Sequence, residues 1–263
     1  MMFAKTNFLK SVTLAVALAT SAHAHRAWLL PSATVFSGDD KWVTIDAAIS
    51  NDLFYFEHVP MRLENLTAIA PDGSVLKPQF LNTGKYRSTF DVELEKSGTY
   101  KFAVVNQSVM ASWEENGETK RWRGPAANAD KEIPANAAKL QKSGMSQRIE
   151  VFVTAGKPTR KVLEPTGKGL ELVAETHPND LFAGEKAKFG FLVDGKPAAN
   201  ITVTVAPGGK RYRDNLKELQ LKTDADGMFT VPFTEAGMYW LNATANVGGS
   251  RASYVATLEV LPQ

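Results

Sequence analysis

The sequence predicts an all-β protein, two β-sandwich domains in tandem behind a cleaved signal peptide. Three observations carry that expectation. Apolar runs are short and are cut repeatedly by Gly, Pro, Asp and Asn. No long stretch repeats with the 3.6-residue period of an amphipathic helix. The turns of the second half echo those of the first, which suggests one sandwich topology used twice.

The leader is residues 1–24. Lys5 and Lys10 flank an apolar run from Val12 to Ala19 that is too short to span a bilayer, and Ala22-His23-Ala24 has the A-x-A form of a cleavage site. Cutting after Ala24 makes His25 the first mature residue. A terminal His offers a metal both its imidazole and its α-amine, whose pKa of roughly 7.7–8.0 lets it deprotonate near neutral pH. Cutting after Ala22 is less favoured, since Thr20 then sits at the −3 position. It would leave His23-Ala24-His25, a terminus suited to square-planar Cu(II) or Ni(II). The competing reading is that His at this place is an accident of processing.

Composition narrows the field. The chain has 263 residues and a formal net charge of +2, all of it from Lys5 and Lys10, so the mature chain is neutral. A neutral protein has no electrostatic case for nucleic acid or an anionic membrane. No second apolar run reaches spanning length, so no membrane insertion is expected after processing. The absence of Cys excludes disulfides, thiolate metal sites and Cys nucleophiles, and an exported Cys-free chain fits the periplasm.

The first domain is expected over 25–155. Trp42 to Ile49, Arg62 to Ala70, Tyr86 to Leu94 and Thr99 to Asn106 read as strands, separated by Pro71-Asp72-Gly73, Thr83-Gly84 and Ser97-Gly98. Ser108 to Gly124 reads as a hairpin about Asn116-Gly117. Ala135 to Lys142 reads as helix-prone, and Gln147 to Thr154 as the closing strand. A Pro/Gly/Lys linker is expected over 156–169 and a second sandwich over 170–263. Ser97-Gly-Thr-Tyr100 and Ala236-Gly-Met-Tyr239 both have the form of the tyrosine corner of immunoglobulin-like sandwiches, in which the hydroxyl bonds back to the main chain. Asp224-Ala-Asp226-Gly227 lacks the further ligands of a Ca²⁺ loop and reads as a turn.

The first half carries an insertion that the second lacks, Ser50 to Met61, aromatic and holding His58. Its Phe54 and Phe56 read as a plug for one end of the sandwich, while ligand and structural roles for His58 stay open. The remaining mature His is His177, at the start of the second domain. Three imidazoles (His25, His58, His177) and an amine, with Glu57 or Glu175 nearby in sequence, suit Cu(II), Ni(II) or Co(II) if the fold brings them together. No spacing motif requires that. Met61 reads as core before soft ligand.

"DGKPAANITVTV" and "TDADGMFTVPFTEAGMY" resemble transthyretin-like and carboxypeptidase-regulatory-like sandwich modules. With His25-Arg-Ala-Trp-Leu-Leu-Pro and "GLELVAETHPNDLFAGEKAKFGFLVDGKPAANITV", the mature chain resembles the family of domain of unknown function 4198. That resemblance implies an exported β-sandwich associated with nickel or cobalt uptake, with the terminal His carried over to His25. Arg26, a cation beside the expected site, departs from a strongly metal-binding terminus. No Gly-x-Ser-x-Gly elbow or phosphate loop is present, so no enzyme is expected. The functional expectation is a periplasmic metal-binding accessory to a membrane transporter or receptor. The alternative is a metal-free module using Trp113 and Trp122 to hold a partner protein or glycan.

Overall fold

The computed structural model describes residues 25–38, 41–212 and 217–263. The leader expectation, with His23 and the cleavage site, lies outside the described residues, as do Asp39 and Asp40.

The chain is all-β. Its first half runs through β1 (Arg26–Pro31), β2 (Val35–Phe36), β3 (Trp42–Ser50), β4 (Val59–Pro60), β5 (Leu66–Ile69), β6 (Val75–Leu76), β7 (Gln79–Thr83), β8 (Ser88–Glu93), β9 (Gly98–Glu115), β10 (Glu118–Pro125) and β11 (Ala138–Ala155). The second runs through β12 (Leu170–Ala174), β13 (Lys186–Val193), β14 (Lys196–Pro197), β15 (Thr202–Pro207), β16 (Leu219–Lys222), β17 (Met228–Pro232), β18 (Gly237–Val247) and β19 (Ser250–Val260).

One long sheet, in the order β16-β15-β18-β19-β11-β9-β5-β6, runs through both halves. A sheet β1-β3-β8-β7 belongs to the first half and a sheet β12-β13-β14, with β17 on β13, to the second. The two halves share one strand plan. β1, β3 and β8 correspond to β12, β13 and β17, and β6-β5-β9-β11 corresponds to β16-β15-β18-β19. The two closing strands meet in parallel, from Met145 opposite Arg251 to Val151 opposite Thr257. Joining equivalent strands in parallel while mirroring their order relates the halves by a half-turn about the strand direction. That rotation exchanges the faces of the long sheet, so the two short sheets cover opposite sides.

Side-chain alternation agrees with this. Ile149, Val151 and Val153 of β11 and Val255 of β19 lie in the first core, while Phe152 and Tyr254, Ala256, Leu258 and Val260 lie in the second. Strands covered on both faces are buried at every position, which is the pattern of Gly98–Val104 and Ile149–Ala155, where the polar Thr99, Lys101, Glu150 and Thr154 are buried along with the apolar residues.

Both tyrosine corners form. Tyr100 donates its hydroxyl to Lys96 O (2.7 Å) and Tyr239 donates to Glu235 O (2.9 Å), each after a Gly at φ near +137°, a conformation open to Gly. Asp224 Oδ1 accepts the amides of Asp226 (3.0 Å) and Met228 (2.8 Å), so this loop is a self-capped turn. The Asn116-Gly117 hairpin forms with both residues at positive φ, as such tight turns require.

One expectation fails. Ala135 to Lys142 is not helical; β11 begins at Ala138 and pairs with β9 from there to Ala155, with a register irregularity between Ala138 and Gln141, and among the described residues the one α-helical turn is Ala129–Glu132. The far half of β9 offers a ladder of main-chain hydrogen bonds that outweighs the helix propensity of Ala and Lys. The far half of β9 with β10 and the start of β11 makes a three-stranded arm. On one face it is closed by a small core of Ala111, Ala129 and Ile133, with Trp113 and Trp122 packed on it. Residues 156–169 include a 3-10 turn whose Val162 and Leu163 enter the second core.

Candidate functional site: a stacked histidine pair

His25 stands at the head of β1 and His58 just before β4. β1 and β4 flank the end of β3: Arg26 lies opposite Ser50, and Val59 opposite Ile49. Continuing these registers places residue 25 beside 51 and residue 58 beside 50. From either side of the strand end the two imidazoles reach each other and stack, with ring centroids 3.9 Å apart and planes 7° from parallel. Both residues are exposed.

The insertion is held so that His58 arrives there. Trp28, fully buried, packs edge-on against Phe54 (5.6 Å) and tilted against Phe56 (5.3 Å), which gives the insertion an apolar anchor. Trp28 Nε1 donates to Ser50 Oγ (3.0 Å), and Ser50 Oγ donates to Asp52 O (2.6 Å). Glu57 Oε1 accepts the Asp52 amide at 2.8 Å. Lys210 and Arg211, in a 3-10 turn of the second half, reach Asp52 at 3.2 and 3.3 Å, and Arg211 also pairs with Glu57 at 2.9 Å. Arg211 lies over Tyr55 and Arg87 over Phe56. Partial burial pushes the Asp52 carboxyl up, but hydrogen bonds from Lys210 and Arg211 outweigh it and hold the group below its usual range. The loop is thus clamped by an ionic network and a Trp, and these residues could not have been paired from sequence spacing.

Arg26 is turned away from His25, as adjacent strand residues are. It pairs with Glu218 at 2.5 Å and lies over Trp240 at 4.9 Å, while Trp240 Nε1 donates to Ala27 O at 3.0 Å. Its charge is neutralised by the second half and does not face the imidazole pair.

His177 is not brought to this site. It is buried among β9, β11 and the 156–169 segment. Its Nδ1 accepts the Asn179 amide (3.1 Å), which assigns the proton to Nε2, facing Thr99 Oγ1 (3.0 Å) and Thr159 O (3.2 Å). Burial lowers its pKa. With both nitrogens engaged, the ring has a ready structural role, tying the start of the second half to the first. Glu57 is occupied by Asp52 and Arg211, Glu175 pairs with Lys188 (2.9 Å), and Met61 is buried in the first core. Among the described residues no group of three or more His, Asp or Glu gathers in the manner of a metal cage.

Solved structures similar to the chain include the D0-D1 domain of intimin (12% identity, 89% of this chain and 97% of that one, TM-score 0.24). Titin domains Z1Z2 in complex with telethonin match at 13% identity, 90% and 98% coverage and a TM-score of 0.21. Escherichia coli alpha-2-macroglobulin activated by porcine elastase matches at 14%, with 91% of this chain, 20% of that one and a TM-score of 0.24. These scores are too low for the folds to superpose, so the architecture rests on the strand pairing above. No curated protein matches the chain. The profile of Domain of unknown function (DUF4198) matches residues 22–246, a span that includes both stacked histidines and runs from β1 through nearly all of β18. The chain belongs to the DUF4198 family.

Proposed function

We propose that this is a non-catalytic periplasmic metal-binding protein that takes up Cu(II), Ni(II) or Co(II) through His25 and His58 and passes it to a membrane transporter or receptor. The observation that carries the reading is the imidazole stack. Imidazole nitrogens bind a metal in the ring plane at about 2.0–2.1 Å, so two rings stacked with centroids 3.9 Å apart must turn out of the stack to share one ion. Both residues are exposed, so that turn is open to them, and the fold already holds the two side chains side by side.

Two exposed imidazoles alone make a weak site. The third donor is the α-amine that leader removal frees on His25, a residue already in place beside His58. An all-nitrogen donor set favours Cu(II), Ni(II) and Co(II) over Mg²⁺ and Ca²⁺, which take oxygen. The clamp on the insertion holds His58 before metal arrives, lowering the ordering cost of binding. His177 is assigned no ligand role in this proposal.

The test is calorimetric titration of the chain beginning at His25 with each ion. His58→Ala is expected to weaken binding by tenfold or more and His177→Asn to leave it unchanged. Equal affinity of the wild type and His58→Ala would refute the assignment.

A further inference from the structure

The arm formed by β9, β10 and β11 has a second, open face. On it Arg121 lies opposite Ser112 and Arg123 opposite Met110, with Gln141 and Ser143 completing the same two rows on β11. These residues line a cleft of about 510 Å³. No acidic side chain lines it. Among the described residues, Arg121 and Arg123 have no ion-pair or hydrogen-bond partner, whereas neighbouring Lys120 pairs with Glu118, Lys142 with Asp130, and Trp122 donates to Glu132. The two free guanidiniums are therefore both on the open face.

β10 is also an edge: among the described residues it pairs only with β9. Within Glu118–Gly124 it has no Pro and no register shift against β9, so its outer row of backbone groups is suited to receive another strand. Charges on an edge deter self-pairing, and they do so here. An antiparallel pair of two β10 strands centred on Trp122 would set Arg121 against Arg123, an unfavourable like-charge contact. An acidic strand meets the opposite condition.

We infer that the free edge of β10 is a docking site for an extended acidic segment of a partner protein, added as a further strand with Asp or Glu at alternate positions. Residues two apart on a strand share a face at about 6.8 Å spacing, so one alternating acidic strand matches both Arg121 and Arg123. Main-chain hydrogen bonds supply affinity and the carboxylates supply register and selectivity. The inference is independent of the histidine pair, which lies on β1 and the insertion.

The test uses three nine-residue peptides on the intact mature protein in the presence of a chelator: alternating Asp and Thr, alternating Lys and Thr, and a block peptide with the Asp residues contiguous. The alternating Asp peptide is expected to bind and to slow amide exchange within 118–125. Arg121→Gln/Arg123→Gln should weaken it by about fivefold or more, the effect of losing two cross-strand charge pairs. Arg121→Glu/Arg123→Glu should transfer binding to the alternating Lys peptide. Absence of binding, equal binding of the block peptide, or exchange protection outside β10 would overturn the inference.

Discussion

Tyr254→Phe tests the join between the two halves. Tyr254 is fully buried on β19 directly opposite Arg148 of β11, and donates its hydroxyl to Glu150 Oε2 at 2.8 Å. Glu150, itself 4% exposed, also accepts from Arg148 at 3.0 Å, and Arg148 reaches Glu171 of β12 at 3.4 Å. This polar rib lies where the parallel strands meet. Burial, and then the neighbouring Glu150 charge, push the Tyr254 hydroxyl well above its usual pKa, so it stays a donor. The substitution removes one oxygen, creates almost no cavity, and leaves a buried carboxylate short of a donor. Hydrogen bonds to charged groups contribute about 1.5–3 kcal/mol, and that is the expected loss, a large fraction of a total stability of about 5–15 kcal/mol. Urea unfolding followed by both far-UV circular dichroism and Trp fluorescence measures it, with one shared midpoint expected because the long sheet belongs to both cores. A loss under about 0.5 kcal/mol would show that the rib contributes little.

Three further outcomes follow from the same geometry. Burial keeps His177 neutral in the fold, while the unfolded chain takes up a proton below pH about 6.5. Its contribution is therefore complete above that pH and declines as pH falls, by at most ~1.4 kcal/mol per pH unit; His177→Asn should flatten the acid limb of a stability–pH curve, and an unchanged limb would assign it to other groups. Tyr100→Phe and Tyr239→Phe should each cost about 0.5–1.5 kcal/mol in chemical denaturation, and no loss at either would remove the corners from the account. Arg211→Ala should leave thermal stability nearly unchanged yet weaken metal binding by a few-fold, because it frees the insertion rather than a core; unchanged affinity would mean His58 needs no clamp.

Much of the fold was legible because its signals are local. The two Gly-x-Tyr corners, the Asn116-Gly117 hairpin and the Asp224 cap each depend on residues within a few positions, and each forms. What needed long-range pairing was not legible. Nothing near Ala138 announces that β9 will claim it as a strand, nor that Met145 will lie opposite Arg251, the contact that turns the halves to opposite faces. The site divides in the same way. His25 and His58 stand out as chemistry-bearing residues, but their meeting depends on two registers along β3. His177 has the same side chain, and only its partners Asn179, Thr99 and Thr159 reveal an engaged ring. Arg26 reads as a cation beside the terminus until Glu218 and Trp240, far along the chain, are seen to hold it away.

The most direct test of the metal-handling account compares two mature chains, one beginning at His25 and one with a single Gly ahead of it, after intact mass has confirmed each terminus. The extension keeps both imidazoles and moves only the amine. Titration with Cu(II), Ni(II) and Co(II) should give sub-micromolar binding of at least one ion by the native terminus, equivalent to more than about 8 kcal/mol, and about tenfold or greater weakening by the added Gly. Equal binding by the two chains would contradict a site built on the amine of His25.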